Sequence, residues 1–482
     1  MLLWMPAVPV CLCGCPSEEP SDPESGGEGD TSPVAIQLAF PKGTGLRERA
    51  AIAVSEWETT TQGLCTVTEL DFADEDESLK SLPAATDIVL VPMTLLPALV
   101  DAGWIAPLDG DESSEAMTRW KDVMDGLRDS ACRPDGTPAV LPVSCPVLAC
   151  YYRSDLLEAA DKAPPETWED YQMLLETLPE WAPDQTAVEP WNEEFRASMF
   201  LARAASSALH PDSLSLYLDI QNGESLIASE GFVRSLEASR DSLRHLDQQS
   251  LSLGPNDCLR ELTAGRAALA IGHPADPAVN GDDLSADSES RFEGRIGVCS
   301  LPGPEQVFDR ENNEWTDLSG ASGPYRVTLA GFDGFAVCVH SGSLPVEQRA
   351  AWDLWGMIED DFQAGGEPLQ WLSGICRSGR LASARQTVWR GMPTNAWRAH
   401  LDVAAKQLTS TRVAADLPLP ERRRFREVLT EQVTRAITGE TSSDAALQAA
   451  AEDWNGLIEE LGRERVLNTY RACLGLRPVS GP

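Results

Sequence analysis

The 482-residue chain holds five histidines (210, 245, 273, 340 and 400), twelve cysteines and 76 aspartates and glutamates. These side chains bind metals, attack electrophiles or carry protons, and spacing decides whether they can act together. The histidines stand far apart and no H-E-x-x-H occurs, so no zinc-binding pair is set on one helix face. No C-x-x-C is present. No G-x-x-x-x-G-K-[ST] cradles a phosphate and no G-x-S-x-G makes a nucleophile elbow. Carboxylates are so abundant that a glycosidase-type pair is not excluded by composition. The chemistry left is recognition, by aromatic rings and a few polar groups lining a cleft, with no cofactor and no metal.

Fourteen tryptophans supply more rings than a cleft needs, so most belong to the core. With 38 Lys+Arg against 76 Asp+Glu the formal charge is −38. Such a field repels nucleic acid and anionic lipid surfaces, and the simplest reading of the excess is a solvated acidic surface. Cys145, Cys150, Cys299 and Cys338 lie in apolar, strand-like runs, where cysteine acts as a small hydrophobe. Nine cysteines lie beyond Cys15, an odd number that leaves at least one unpaired. Pairing of Cys132 with Cys376 or Cys473 stays open.

The elements that position any cleft follow an open α/β pattern. Val34–Phe40 reads as a strand, Leu46–Thr60 as a helix with Leu46, Ala50, Ala53 and Trp57 on one face, and Cys65–Asp71 as a second strand. Asp87–Val91 is a continuous apolar run of the kind buried on both faces of a parallel sheet. Between Asp135 and Tyr171, Pro142 and Pro146 break two extended runs, and Val147–Tyr152 reads as a buried strand. Thr167, with Asp170 three residues on, forms a capping box. Thr167–Gln249 is largely helical. Ala267–Gly272 and Ile296–Leu301 are strands, 281–293 is an acidic loop, and 306–326 reads as irregular. Gly331–His340 is strand-like, interrupted at Gly334. Pro345 opens a helix, Glu421–Thr438 is another, and Thr441 with Asp444 caps the last.

At the start, the short apolar run MLLWMPAVPVCLCGC ends Leu12-Cys13-Gly14-Cys15, which resembles a bacterial lipobox with Cys15 as the lipidated residue. The alternatives are a hydrophobic tail or a misplaced start. Residues 16–33 carry no Lys, no Arg and no large apolar side chain and read as a disordered acidic tether. No later run reaches the roughly 20 apolar residues of a spanning helix.

Four places together resemble the extracellular solute-binding proteins of ABC importers, in the carbohydrate-binding, maltose-binding-protein-like group. They are Asp135-Gly136 through Tyr151-Tyr152 to Pro165-Glu166-Thr167-Trp168; Thr263-Ala264-Gly265 through Ala267-Ala268-Leu269-Ala270-Ile271-Gly272; Ile296 to Leu301-Pro302-Gly303; and Ile437-Thr438-Gly439 with Trp454-Asn455. The resemblance implies an α/β, two-lobe periplasmic-binding-protein-like fold with hinge crossings and a central ligand cleft. It implies residues 1–15 as a lipoprotein signal, 34–143 plus 275–340 as lobe one, and 146–270 plus 345–475 as lobe two. The implied function is capture of a small polar solute, a sugar or oligosaccharide, by a lipid-anchored monomer outside the cytoplasm, for ABC permease subunits. A surface carbohydrate-active enzyme and a receptor module feeding a sensor are the alternatives.

Ligand residues follow from the same resemblance. Glu189-Pro190-Trp191-Asn192 matches a loop whose aromatic stacks on sugar, which makes Trp191 and Asn192 candidates; the other reading of Trp191 is a packed interface ring. His273 follows Gly272 where the family usually has an aromatic. Phe332-Asp333-Gly334 occupies a cleft loop, where Asp333 either accepts from ligand hydroxyls or caps a turn. Lys42 lies in the first β–α loop, and one ring of Tyr151 and Tyr152 faces the cleft. Trp371 and Arg377 fall in a region that often faces it, with helix packing as the other reading.

Overall fold

A computed structural model describes residues 33–72, 82–108, 111–131, 134–274, 292–318, 320, 323–364, 374–386, 389 and 391–479. Two sheets organise it. The first has five strands in the order β2-β1-β3-β12-β4: β1 (Ala35–Pro41), β2 (Leu64–Leu70), β3 (Ile88–Pro92), β4 (Leu141–Ser144) and β12 (Phe335–Val339). β1 pairs in parallel with β2 and β3, and β12 runs antiparallel between β3 and β4. Ile88 to Val91 are all buried, as the unbroken apolar run requires of a strand covered on both faces. Pro142 sits in β4, an edge strand, where its missing N–H costs no ladder bond on the open side.

The second sheet has the order β6-β7-β5-β8, from β5 (Ala149–Arg153), β6 (Thr186–Val188), β7 (Ala267–Gly272) and β8 (Ile296–Ser300). β5 opposes both β7 and β8, and β6 runs parallel to β7. Two smaller pairs complete the strands: the hairpin β9 (Gln306–Asp309) with β10 (Glu314–Asp317), and the parallel pair β11 (Thr328–Ala330) with β13 (Val413–Ala415). The hairpin lies inside the stretch expected to be irregular. Asp309 closes its turn by accepting from the N–H groups of Glu311 and Asn312.

Two apolar cores are present, and the second sheet contributes one face to each: Tyr151 and Ala270 to the first, Cys150 and Leu269 to the second. One packs Phe40, Trp57, Leu90 and Trp355; the other packs Tyr171, Phe200, Phe232 and Trp454. Each fully buried side chain of this size removes enough apolar surface to stabilise the fold by about 1.5–3 kcal/mol. The capping box is formed: Thr167 Oγ1 accepts from Asp170 N, and Asp170 Oδ2 accepts from Thr167 N, each at 3.0 Å. The helix Ser443–Leu461 is capped by Ser442 rather than Thr441, and a further helix, Arg463–Cys473, follows it.

The lobe boundaries differ from expectation. β8 was assigned with residues 275–340 to the first lobe, yet it pairs with β5 along five residues of the second sheet. The helix Pro345–Ala364 was assigned to the second lobe, yet it packs on β1 and on the helix Leu46–Thr61. Both assignments depend on which sheet a distant segment meets, which local periodicity does not encode. The chain passes from the first sheet to the second at Cys145–Leu148, slightly later than the expected Pro142–Pro146, and a second crossing, Gly331–Gly334, returns it from β11 to β12 of the first sheet. Gly334 packs so tightly that a Cβ would meet Ser144 O at 2.7 Å and Met93 Sδ at 2.8 Å, and Gly331 holds φ +95°.

Candidate ligand-binding site

Strand direction locates the seam. β1, β2, β3 and β4 end at Pro41, Leu70, Pro92 and Ser144, on the edge of the first sheet where β12 begins at Phe335. β6, β7 and β8 end at Val188, Gly272 and Ser300, on the edge of the second sheet where β5 begins at Ala149. The short crossing from Ser144 to Ala149 joins these two edges, so the carboxyl ends of both sheets turn toward one seam. In open α/β sheets that edge is where ligands bind.

At the second crossing three rings meet. Phe195 stands edge-on to Phe332 with centroids 5.3 Å apart, and the His273 ring lies 5.5 Å from Phe332 and 6.2 Å from Phe195. All three are buried. Above them the Asp333 side chain remains 49% exposed, while its Oδ2 lies 2.9 Å from His273 Nε2. The other imidazole nitrogen, Nδ1, lies 3.2 Å from the carbonyl oxygen of Pro274. Both partners of His273 are acceptors, so both contacts are hydrogen bonds together only when both ring nitrogens carry protons. The sequence thus brings His273, Phe332 and Asp333 together from segments 60 residues apart. The three rings pack on one another with little exposed surface, so what the cluster offers a solute is the half-exposed Asp333 carboxylate, an acceptor for hydroxyl donors.

Phe195 was not among the expected residues. Its signal was local: Asn192 Oδ1 accepts from Phe195 N at 2.9 Å, a turn that delivers the chain into the helix Arg196–Ala208. Asn192 is therefore a turn residue beside the rings, half-buried. His400 was missed too. It lies on the buried face of the helix Thr394–Thr409 with Ala396, Trp397, Leu401 and Ala404. Its Nδ1 sits 2.7 Å from the Tyr151 hydroxyl, and the rings stack with centroids 6.0 Å apart. Burial, and secondarily the charge of His273, pushes His400 down to about 3, so a neutral imidazole shares the hydrogen bond with the tyrosine hydroxyl. Burial in turn holds the Tyr151 hydroxyl well above its ordinary range. Tyr151 is wholly buried and offers no open ring face, contrary to its candidate role.

Trp191 is also corrected. It has no exposed surface, and its indole N–H donates to Glu189 Oε2 at 2.9 Å. Glu189 is itself buried against Arg203, whose Nη1 is 2.8 Å from both carboxylate oxygens. Arg203 also donates to Ser242 and lies 4.0 Å over the Trp168 ring. The Glu-Pro-Trp loop is drawn inward by this ion pair, because a buried carboxylate left unpaired would cost several kcal/mol. Trp168, the most recognisable residue of the capping motif, serves the same network.

Arg377 is buried and pairs with Glu359 at 2.7 Å, alongside Arg119 at 2.9 Å and Arg380 at 2.5 Å. Burial raises Glu359, but the Arg377, Arg380 and Arg119 charges outweigh it and hold the carboxyl below its ordinary value. Arg377 therefore ties the helix Pro345–Ala364 to its neighbours and is not open to a ligand. Lys42 is exposed in the loop after β1, at the carboxyl edge of the first sheet. Trp371 and Cys15 lie outside the described residues.

Two α/β lobes joined by short crossings, with the carboxyl ends of both sheets facing the joint, define a two-lobe binding protein. The chain belongs to the bacterial extracellular solute-binding proteins, whose family profile matches residues 60–355. Solved structures agree in fold. The sugar-binding protein MalE from Xanthomonas citri superposes with a TM-score of 0.65 at 19% identity, covering 89% of this chain and 98% of that one. A cyclic α-maltosyl-1,6-maltose binding protein from Arthrobacter globiformis gives 0.61 at 18% identity, covering 89% and 100%. An ABC transporter solute-binding protein from Agrobacterium radiobacter K84, in complex with ribitol, gives 0.59 at 17% identity, covering 88% and 98%. A search of curated proteins returned no match. Among the described residues no helix is long and apolar enough to cross a membrane.

Proposed function

We propose that this protein captures a sugar or polyol at the seam and delivers it to an ABC permease, working as a monomer outside the cytoplasm. The observation that carries this reading is the half-exposed Asp333 carboxylate, held by His273 where the carboxyl ends of the two sheets meet. Sugars and polyols carry hydroxyls that donate to a carboxylate. The sugar-binding protein and the ribitol complex among the similar structures support that solute class. Asp333 is the principal acceptor, His273 and Phe332 hold it in place from below, and Asn192 and Lys42 are the outer polar contacts. Lipidation at Cys15 followed by the acidic stretch 16–33 would tether the lobes near the permease. Solute binding favours the closed arrangement of the lobes by differential affinity for it.

A thermal-shift screen over mono-, di- and oligosaccharides and linear polyols tests the reading. A ligand at 100 times its dissociation constant stabilises by about 2.7 kcal/mol and raises the midpoint measurably. No shift with any member of the panel would remove the sugar and polyol assignment. Radiolabelled palmitate incorporation that disappears in Cys15→Ala checks the anchor separately.

A further inference from the structure

We propose that Cys150 and Cys299 form a disulfide that pins β5 to β8 in the second sheet. They are direct partners in the antiparallel register of these strands. Opposed residues in such a pair have Cα atoms about 4.5–5.5 Å apart. That lies within the roughly 4.4–6.8 Å a disulfide spans, and opposed side chains share one face of the sheet. The neighbouring Cys299 thiol and burial hold the Cys150 thiol well above its ordinary range, and Cys299 Sγ lies 3.8 Å from Pro165 O.

Access favours this pair over the neighbouring one. Cys145 and Cys376 also lie near each other, but both are fully buried, with Cys376 Sγ directed at Pro142 O. Cys299 is half-buried and lines an open depression of about 900 Å³ with Tyr152, Pro165 and Lys406. A small disulfide can therefore reach Cys299 from solvent. The Cys299 thiolate attacks one sulfur of that disulfide and expels the first thiolate. Cys150 then attacks Cys299 Sγ in the mixed disulfide and expels the second. Two electrons pass to the small disulfide, which leaves as two thiols carrying the two cysteine protons. An extracellular family works where such oxidants persist.

The test is a peptide map of the full chain. The protein is incubated with oxidised glutathione, unfolded, alkylated and digested without reductant, and its peptides are identified by mass. The expected result is one cross-linked species joining the Cys150 and Cys299 peptides and a loss of two alkylatable thiols. Cys145→Ser leaves that species in place, whereas Cys299→Ser abolishes it. Recovery of Cys150 and Cys299 both alkylated, of a stable glutathione adduct on Cys299, or of Cys299 joined to another cysteine would overturn the proposal. The wild-type map needs no variant to fold, and its outcome does not depend on whether a sugar binds.

Discussion

His273 Nε2 lies 2.9 Å from Asp333 Oδ2, and Asp333 belongs to the crossing that returns the chain to the first sheet. One carboxylate oxygen is therefore committed to the imidazole, and the half-exposed side chain leaves the other for a solute hydroxyl. Asp333→Asn keeps the shape and removes the charge. A hydrogen bond to a charged group contributes about 1.5–3 kcal/mol, so solute affinity should fall roughly 10- to 100-fold with little change in thermal stability. Calorimetric titration of both proteins with the solute found by the screen checks this.

Trp191→Phe separates packing from recognition. The indole N–H to Glu189 is buried, and its loss should lower stability by about 1–3 kcal/mol while solute affinity stays within about twofold. Urea unfolding measures the first and titration the second. A large loss of affinity with unchanged stability would restore Trp191 as a sugar platform.

Removing Arg377 leaves Glu359 buried with Arg119 and Arg380 still beside it. Breaking a buried pair outright costs about 3–5 kcal/mol. With two partners retained, Arg377→Met should cost less than that range in urea unfolding. Glu359→Gln in the same background should recover part of the loss, because the carboxylate that needed pairing is gone.

Acid stability should depend on His400. Its folded value of about 3 lies below the ordinary 6.5, so between these values the unfolded chain binds a proton that the folded chain does not. Stability from this residue is full above about pH 6.5 and declines by about 1.4 kcal/mol per pH unit toward pH 3. His400→Gln removes the titration, so its midpoint should fall less steeply between pH 6 and 4 than that of the wild type. Parallel slopes in scans over that range would show that His400 is not the source.

What could be read from the chain was what neighbours in sequence decide. β3 followed from an unbroken apolar run, and the helix after Thr167 from a capping box whose partners are three residues apart. The interruption at Gly334 marked a true crossing, because only glycine fits between Ser144 and Met93. The rest turns on pairings that no local pattern carries. Trp191 is interior because Glu189 finds Arg203 fourteen residues on. Arg377 is interior because Glu359 lies on the helix that packs against β1. The place of β8 was set by β5, nearly 150 residues away. In the candidate site His273, Phe332 and Asp333 were each visible, but their meeting was not, and Phe195 passed for an ordinary apolar residue at a helix start.

The most direct measurement is isothermal titration of the wild type and Asp333→Asn with maltose, maltotriose, ribitol and mannitol. At least one of them should bind the wild type one-to-one, with an affinity at least tenfold weaker in Asp333→Asn. Binding of none, or equal affinity in the two proteins, would contradict this expectation.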